Sequence, residues 1–237
     1  MWKRIVESGK MRVALINGSP RISGCTKACI NYLSDLFKSD GVETIIIDVP
    51  NNIKHCVNCR KCKTKKCACV LDHFIEEAEK IIETCDGIII GSPVYYYSIT
   101  SQLQAFLTRL CYSRPHLLGH KLCSFFSVSR RTGNTNCFDQ AMKIFQMHNA
   151  IMVGGTYVNE IYGDNPEEIV FDKEGILSLD AIEKNFLTLM PLLENAKFID
   201  IEKIHTNFIS REFLTLVNKE KEKKEINKLL IESYDCK

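Results

Sequence analysis

Short apolar runs alternate with helical stripes along the first 200 residues. The apolar runs, typical of strands covered on both faces, lie at residues 12–16, 44–47, 88–90, 122–128 and 150–154. Between the first two runs, Cys29, Tyr32, Leu33 and Leu36 recur at the spacing of an amphipathic helix. Strands that alternate with such helices predict βαβ units and a parallel sheet, so the predicted fold class is α/β.

The same pattern predicts the domain organisation. The helices with the clearest predicted bounds lie at about residues 25–38, 72–83 and 179–195. An irregular excursion is predicted at residues 156–177. One domain is predicted over residues 1–200, with a cysteine-rich insertion at 55–69. Residues 201–237 form a predicted helical extension with a charged middle, which either packs on the parent domain or grips another subunit.

Composition excludes several classes of function. The formal net charge of +2 is too near zero to indicate a nucleic-acid partner. No apolar run approaches the roughly 18 residues that a membrane span needs, and the first residues lack the apolar core of a secretory signal. We therefore expect a cytoplasmic protein with no membrane partner. In that compartment the 12 cysteines are expected to bind metal or do redox work more often than to form disulfides.

The segment after the first predicted strand has the composition of an anion-binding loop. Residues 17–26 are rich in glycine and serine and lead into a helix, whose first N–H groups and dipole favour an anion. The predicted phosphate ligands, which offer hydroxyls, backbone N–H groups or positive charge, are Ser19, Arg21, Ser23, Gly24, Cys25 and Thr26. The alternative is a plain strand–helix turn. At this helix N-terminus the Cys25 thiol is expected to have a lowered pKa.

Unusual loops follow the first four predicted strands. In open parallel sheets, ligands bind at the carboxyl ends of the strands, near the point where the strand order reverses. The four loops are therefore expected to lie on one edge of the sheet. Their convergence predicts one extended ligand site.

Two of these loops resemble those of a known flavin family. Residues 17–26, which begin NGSPR, resemble the FMN phosphate loop of the NADPH-dependent FMN reductases. Residues 92–96, followed by 101–109, look like the second flavin loop of that family. The resemblance covers about residues 11–197 and implies a flavodoxin-like three-layer sandwich with strand order 2-1-3-4-5. It also implies bound FMN and a homodimer or homotetramer.

The resemblance further implies which residues hold the flavin ring. The second loop supplies backbone groups and a tyrosine that stacks on the ring, through Pro93, Val94, Tyr95 and Tyr96. The third loop closes the remaining side, through Ser129, Arg130, Arg131, Thr132 and Gly133. An arginine near the N1 side of the flavin stabilises the reduced anion and raises its potential. The simpler interpretation is two solvated arginines.

A compact run of cysteines follows the second predicted strand. Cys56, Cys59 and Cys62 are separated by two residues each, and Cys67 or Cys69 supplies a fourth thiolate. Soft thiolates suit iron–sulfur or zinc sites, and three such cysteines in a row favour a cubane over structural zinc. The run resembles the motif that holds a [4Fe–4S] cluster close to FMN in iron–sulfur flavoproteins. Free thiols without a cluster are the remaining alternative.

These features predict an FMN-dependent oxidoreductase of the iron–sulfur flavoprotein type, which passes electrons between a [4Fe–4S] cluster and FMN. Expected partners are ferredoxin or another electron-transfer protein, a small-molecule electron acceptor, and NAD(P)H as a substrate. The alternatives are a cluster-free NAD(P)H-dependent FMN, quinone or nitro reductase, a non-enzymatic flavin electron carrier, and a zinc-stabilised binding module. No side chain is predicted to be a catalytic acid or base, because the cofactors carry the chemistry.

Overall fold

The apolar runs form the strands of one parallel sheet. In the computed structural model, which describes residues 11–65, 68–194 and 196–198, the sheet has six strands. They are β1 (Arg12–Asn17), β2 (Glu43–Asp48), β3 (Gly87–Pro93), β4 (Leu122–Ser129), β5 (Ile151–Met152) and β6 (Glu160–Tyr162). The order β2-β1-β3-β4-β5, with each neighbouring pair parallel, confirms the predicted strand order and fold class.

The outer edge of the sheet differs from the prediction, because it consists of two short strands. β5 pairs with Leu122 and Cys123 at the start of β4, whereas β6 pairs with residues 127–129 at its end. The fifth strand is therefore shorter than predicted, and the predicted excursion at residues 156–177 supplies the second piece. These strands have 2 and 3 residues, which is too short for a periodic apolar pattern to appear.

Helices connect the strands. They are α1 (Cys25–Ser39), the short α2 (Lys61–Lys65), α3 (His73–Thr84), α4 (Ser101–Ser113), α5 (Asn134–Met147) and α6 (Lys173–Glu194), and a 3₁₀ helix spans Pro166–Phe171. α1 and α3 agree closely with the predicted bounds, whereas α2 was not predicted. α6 begins six residues before the predicted start at 179, because the Asp172 carboxylate accepts the N–H of Gly175 at 3.0 Å and caps the helix.

Two apolar clusters hold the layers together. α1 and α6 cover one face of the sheet, and α3, α4 and α5 cover the other. Leu15 belongs to the first cluster and its neighbour Ile16 to the second, as the alternation of side chains along a strand requires. This arrangement is the predicted three-layer sandwich.

The strand register brings the carboxyl ends of the central strands together. Asn17, the last residue of β1, lies opposite Asp48 of β2 and Gly91 of β3. Pro93 at the end of β3 lies opposite Val128 of β4. The loops after these four strands therefore leave the sheet at one edge, as predicted, and this edge positions the site described below.

The compact unit that contains the sheet extends to Ala196. Residues 1–10, the predicted boundary at residue 200 and the predicted extension over 201–237 lie outside the described residues. Among the helices of the described part, none combines the length and the apolar character that crossing a bilayer demands.

Candidate functional site

The loop after β1, which we call the first loop (residues 18–24), is held from two sides. The N–H of Gly18 donates to the carbonyl of Gly91 in β3 at 2.8 Å. The hydroxyl of Thr100, just before α4, donates to the carbonyl of Gly18 at 2.6 Å. A Cβ on Gly18 would lie 2.6 Å from Cδ2 of Leu103, so glycine is required for this close approach to α4.

The first loop ends at an uncapped helix N-terminus. Gly24 precedes α1 and offers no side-chain cap, and the first turn carries no acidic residue. The N–H groups of that turn lack intrahelical acceptors and, with the helix dipole, attract an anion. Among the predicted phosphate ligands, Ser19 and Thr26 are buried, whereas Arg21 and Ser23 are exposed. The arrangement fits a phosphate bound mainly by backbone N–H groups and hydroxyls.

The predicted lowering of the Cys25 pKa is wrong. Burial raises the pKa of this thiol above its usual value, and the nearby carboxylates of Glu168 and Asp164 raise it further. A backbone hydrogen bond at the start of the helix acts in the opposite direction and is the smaller effect. The Cys25 thiol donates to the carbonyl of Gly163 at 3.6 Å, so it links the first residue of α1 to the segment that follows β6.

A polar cluster beneath the first loop was missed from the sequence. The side-chain amide of Asn17 donates to Asp48 at 2.9 Å, and its oxygen accepts the N–H of Ser19 at 3.1 Å. Lys27 of α1 donates to both carboxylate oxygens of Asp48 at 2.7 Å. The cluster fixes the turn from β1 into the first loop. Its signal in the sequence is the polar residue that ends each of the first two apolar runs.

The loop after β3, which we call the second loop (residues 94–100), contains a tight turn with two tyrosines. Tyr95 and Ser98 exchange backbone hydrogen bonds of 2.8 and 3.0 Å. Between them, Tyr96 and Tyr97 have φ angles of 48° and 61°, the pattern of a type I′ turn that normally contains glycine or asparagine. Strained backbone of this kind clusters at ligand sites. Tyr96 is fully exposed and Tyr95 partly so, which suits stacking on a flat ring.

Gln140 of α5 fixes the second loop from outside. Its side-chain oxygen accepts the Ser98 hydroxyl and the N–H of Ile99, both at 3.1 Å. The N–H of Val94 donates to Val128 of β4 at 2.9 Å. The backbone groups of the predicted ring-binding segment are therefore held in place. The sequence pattern did not predict this role of Gln140, because the role depends on a contact with a residue about 40 positions away in the chain.

The third loop, which lies between β4 and α5, is flanked by two buried side-chain oxygens. Among the described residues, neither Oγ of Ser129 nor Oδ1 of Asn134 has a hydrogen-bond partner. Unpartnered buried polar atoms are uncommon in native proteins, so both fit the polar edge of a bound ring. Asn134 was not predicted. Arg130, Arg131 and Thr132 are exposed, and a role for either arginine beside a flavin stays a prediction.

Gly133 joins the second and third loops. Its φ of +100° belongs to the region that favours glycine. A Cβ at this position would lie 2.8 Å from Cγ1 of Val94 and 3.3 Å from Cα of Tyr97. The two loops therefore pack against each other and form one continuous wall of the site.

The cysteine segment (residues 55–69) lies between β2 and α3. Cys62 is buried, Cys56 and Cys69 are partly buried, and Cys59 is exposed. Cys67 lies outside the described residues. In the part of the segment that the structure describes, no three metal-ligating side chains come together. The predicted ligand set therefore stays a prediction.

A buried arginine of α4 contacts Lys54, the residue just before the cysteine segment, and Cys69, the last residue of the segment. The Arg109 side chain is fully buried, and its Nε donates to Sγ of Cys69 at 3.2 Å. Its Nη1 donates to the carbonyl of Lys54 at 2.9 Å and to the Asp72 carboxylate at 2.6 Å. Nη2 of Arg109 has no hydrogen-bond partner among the described residues. The sequence gave Arg109 no role in a site, because these contacts depend on the fold.

Comparisons with known proteins agree with the geometry. Residues 11–163 match the profile of the family described as NADPH-dependent FMN reductase. The chain is 31% identical to an iron–sulfur flavoprotein of Methanocaldococcus jannaschii over 161 residues, which are 65% of this chain and 81% of the relative. It is 27% identical to an iron–sulfur flavoprotein of Methanosarcina thermophila over 192 residues, which are 78% of this chain and 97% of the relative.

Solved structures share the fold at low identity. RosB, with the bound intermediate 8-demethyl-8-formylriboflavin-5'-phosphate, has a TM-score of 0.64 and 16% identity, with 82% of this chain and 84% of RosB covered. A WrbA-like flavodoxin from Agrobacterium tumefaciens has a TM-score of 0.54 and 13% identity, with 80% and 100% covered. These likenesses show a flavodoxin-like fold. Because the family profile also spans all three loops, the chain belongs to the NADPH-dependent FMN reductase family and is a flavin-dependent oxidoreductase.

Proposed function

We propose that this oxidoreductase holds a [4Fe–4S] cluster in its cysteine segment and passes electrons between that cluster and FMN. The observation that carries the proposal is the place of the cysteine segment, which follows β2 on the sheet edge that also bears the three loops. The names of the two relatives, both iron–sulfur flavoproteins, support it.

The three loops fit FMN by their chemistry. The N-terminus of α1, with Ser19 and Thr26, is suited to the phosphate. The turn around Tyr95 is suited to the ring. The buried oxygens of Ser129 and Asn134, which have no hydrogen-bond partner within the described part of the chain, are suited to the polar edge of the ring. When bound, FMN supplies the exchange of two electrons as hydride or of single electrons. The chain itself binds the cofactor, orients the ring and shields one of its faces from water.

The cysteine segment fits a cluster by its donor set. The four soft thiolates come from Cys56, Cys59, Cys62 and either Cys67 or Cys69. The exposed basic residues beside them, which oppose the negative charge of ligated thiolates, are Lys54, Arg60, Lys61 and Lys63. When bound, the cluster supplies single-electron transfer.

The test is the metal content of anaerobically purified protein. We expect about four iron and four sulfide per FMN, with broad absorption and an electron paramagnetic resonance signal after reduction. Cys59→Ser should lose the iron and keep FMN. The matched control is Cys85→Ser, outside the segment, in which a hydroxyl can keep the 3.3 Å hydrogen bond to the carbonyl of Ile81. This control should keep both cofactors.

Other outcomes point to the alternatives. Wild-type protein that contains FMN and no iron would contradict the proposal of a cluster. If that protein turns over with NADH or NADPH and a small acceptor, the result favours a cluster-free reductase. If it does not turn over, the result favours a flavin electron carrier. Zinc in place of iron would favour a structural zinc site.

We also propose that the electron-transfer partner is an acidic protein such as a ferredoxin. The cysteine segment carries exposed basic side chains, those of Arg60, Lys61 and Lys63. Their positive charge complements an acidic surface on the partner protein. Reduction by a ferredoxin should slow as ionic strength rises, and Lys61→Glu should slow it more than the control Lys143→Glu on α5. A rate that is independent of salt contradicts this proposal.

Assembly into a homodimer or homotetramer is proposed as well. Ile22 of the first loop and Tyr96 of the second expose large apolar side chains at the flavin site, and a second copy would cover them. Light scattering of the FMN-bound protein measures the mass directly. A monomer with FMN bound would refute it.

A further inference from the structure

The turn at the tip of the second loop has a backbone conformation that is unfavourable for the residues that form it. Tyr96 and Tyr97 both have positive φ angles, of 48° and 61°, at which glycine or asparagine is favoured. The turn is nevertheless fixed, since Tyr95 and Ser98 exchange two backbone hydrogen bonds and Gln140 accepts two more. Strain of this kind persists only where the surrounding structure enforces it, and it is common at ligand sites.

The side chain of Tyr96 does not offset this cost. It is fully exposed, so its ring buries no apolar surface against the described part of the chain. Tyr97 differs, because it packs against the third loop. A Cβ at Gly133 would lie 3.3 Å from both Cα and Cδ1 of Tyr97. The ring of Tyr96 therefore gains contacts only when another molecule binds beside it.

The loops around this ring carry positive charge and no carboxylate. Arg130 and Arg131 of the third loop are exposed, and residues 87–138 contain no aspartate or glutamate. Among the described residues, neither of these two arginines forms an ion pair. Arg131 lies two residues before Gly133, which packs against the tyrosine turn. The exposed ring and the unpaired positive charge are therefore neighbours.

We propose that Tyr96 and the arginines of the third loop form the binding site of the electron acceptor, and that this acceptor is a flat aromatic anion. Its ring stacks on the exposed face of Tyr96. Its carboxylate or sulfonate pairs with the guanidinium of Arg130 or Arg131. The second and third loops follow neighbouring strands at the edge that bears the flavin site, so a ring held there lies beside that site.

The chemistry balances for an acceptor of this class. A nitroaromatic takes up two electrons and two protons and yields a nitroso compound and water. NADPH supplies both electrons and one proton, and solvent supplies the other proton. The site belongs to the flavin-dependent activity of the family and does not depend on the metal content of the cysteine segment.

The first experiment titrates the FMN-bound protein with 4-nitrobenzoate and with its neutral match 4-nitrobenzamide, by calorimetry at low ionic strength. Wild type should bind the anion about tenfold more tightly than the amide. A double variant, with Arg130→Gln and Arg131→Gln, should lose this preference. The control Lys143→Gln, an exposed base of α5, should keep it. Equal affinities of the two compounds for wild type would overturn the assignment of an anion.

The tyrosine is tested with the same two compounds. Tyr96→Asn removes the ring and tolerates a positive φ, so it should weaken the binding of both compounds about fivefold and raise the urea concentration at the unfolding midpoint. Tyr96→Phe keeps the ring and should bind both like wild type. The control Tyr157→Asn removes a tyrosine that is 80% exposed outside the three loops, and both affinities should stay unchanged.

Three results for Tyr96→Asn would overturn the inference. Weaker FMN binding, measured by flavin fluorescence, would show that the ring stacks on the flavin itself. A changed mass in light scattering would show that the ring forms a contact between subunits. Weaker binding of NADP⁺ with unchanged binding of 4-nitrobenzoate would assign the surface to the nicotinamide substrate. Protein without iron would contradict the proposed cluster and leave these binding results unaffected.

Discussion

The hydroxyl of Thr100 connects the first loop to α4, and its removal is the sharpest test of how the flavin site is held. Thr100 is completely buried. Its hydroxyl donates to the carbonyl of Gly18 at 2.6 Å and accepts the N–H of Leu103 at 3.3 Å. Thr100→Val keeps the shape of the side chain and deletes both hydrogen bonds. Thr100→Ser keeps the hydroxyl and deletes one methyl group.

The expected cost follows from the two bonds. Loss of a threonine N-cap costs about 1 kcal/mol, within a range of about 0.5–2 kcal/mol. A buried carbonyl left without its donor, here that of Gly18, costs about 1–3 kcal/mol. Thr100→Val should therefore lower the free energy of unfolding by about 2–4 kcal/mol. Thr100→Ser should lower it by about 1 kcal/mol, the value of one buried methyl group.

The assay is urea denaturation of both variants and wild type, at a fixed saturating concentration of FMN and without FMN. Because the Gly18 carbonyl belongs to the first loop, Thr100→Val should also weaken FMN binding by about tenfold, measured by quenching of flavin fluorescence. Equal unfolding free energies for the Val and Ser variants would refute the reasoning. Equal FMN affinities for all three proteins would show that α4 does not position the phosphate site.

Two further predictions concern the pH dependence of stability and the join between the loops. Burial, and to a smaller extent Asp40, raises the pKa of Glu183 to about 7 in the folded protein, whereas the unfolded chain loses this proton near the ordinary pKa of 4.5. The free energy of unfolding should therefore fall as the pH rises from 4.5 to about 7. Glu183→Gln should remove about 1–3 kcal/mol of that fall, measured by urea titrations at several pH values. Parallel pH profiles for the two proteins would contradict this. Gly133→Ala, at a φ of +100° and with a Cβ 2.8 Å from Val94, should cost about 1–3 kcal/mol in the free energy of unfolding and weaken FMN binding. In the control Gly154→Ala the new Cβ meets nothing within 4 Å, so a cost equal to that of Gly133→Ala would exclude the steric explanation.

The sequence predicted the parts of the fold that depend on local pattern. The long apolar runs and helical stripes identified the strands β1 to β4, and the family resemblance implied their order. The split outer edge was missed because β6 is only 3 residues long. Its position is set by pairing with β4 and by the Asp172 carboxylate, which accepts the N–H of Tyr162 at 2.7 Å.

The candidate site was predicted where its residues are contiguous in sequence and missed where they are not. The first and second loops follow strands directly, so their composition was visible. Arg109 and Gln140 lie within helices, and their roles depend on contacts 40 and 41 residues away. The pKa of Cys25 was predicted in the wrong direction because a helix N-terminus is a local feature, whereas burial of the thiol is tertiary.

α4 sets the spacing between the two ends of the site. Its N-cap residue Thr100 holds the first loop and Arg109 holds the cysteine segment, and the helix rises about 13 Å between them. Insertions between Lys54 and Cys69 leave that separation unchanged, because both flanks of the segment bond to the same guanidinium. One residue added within α4 would turn Arg109 by about 100° around the helix axis and detach it. A change in the length of α4 between these two residues would therefore break one of the two contacts, whereas a change in the length of the connection between Lys54 and Cys69 need not.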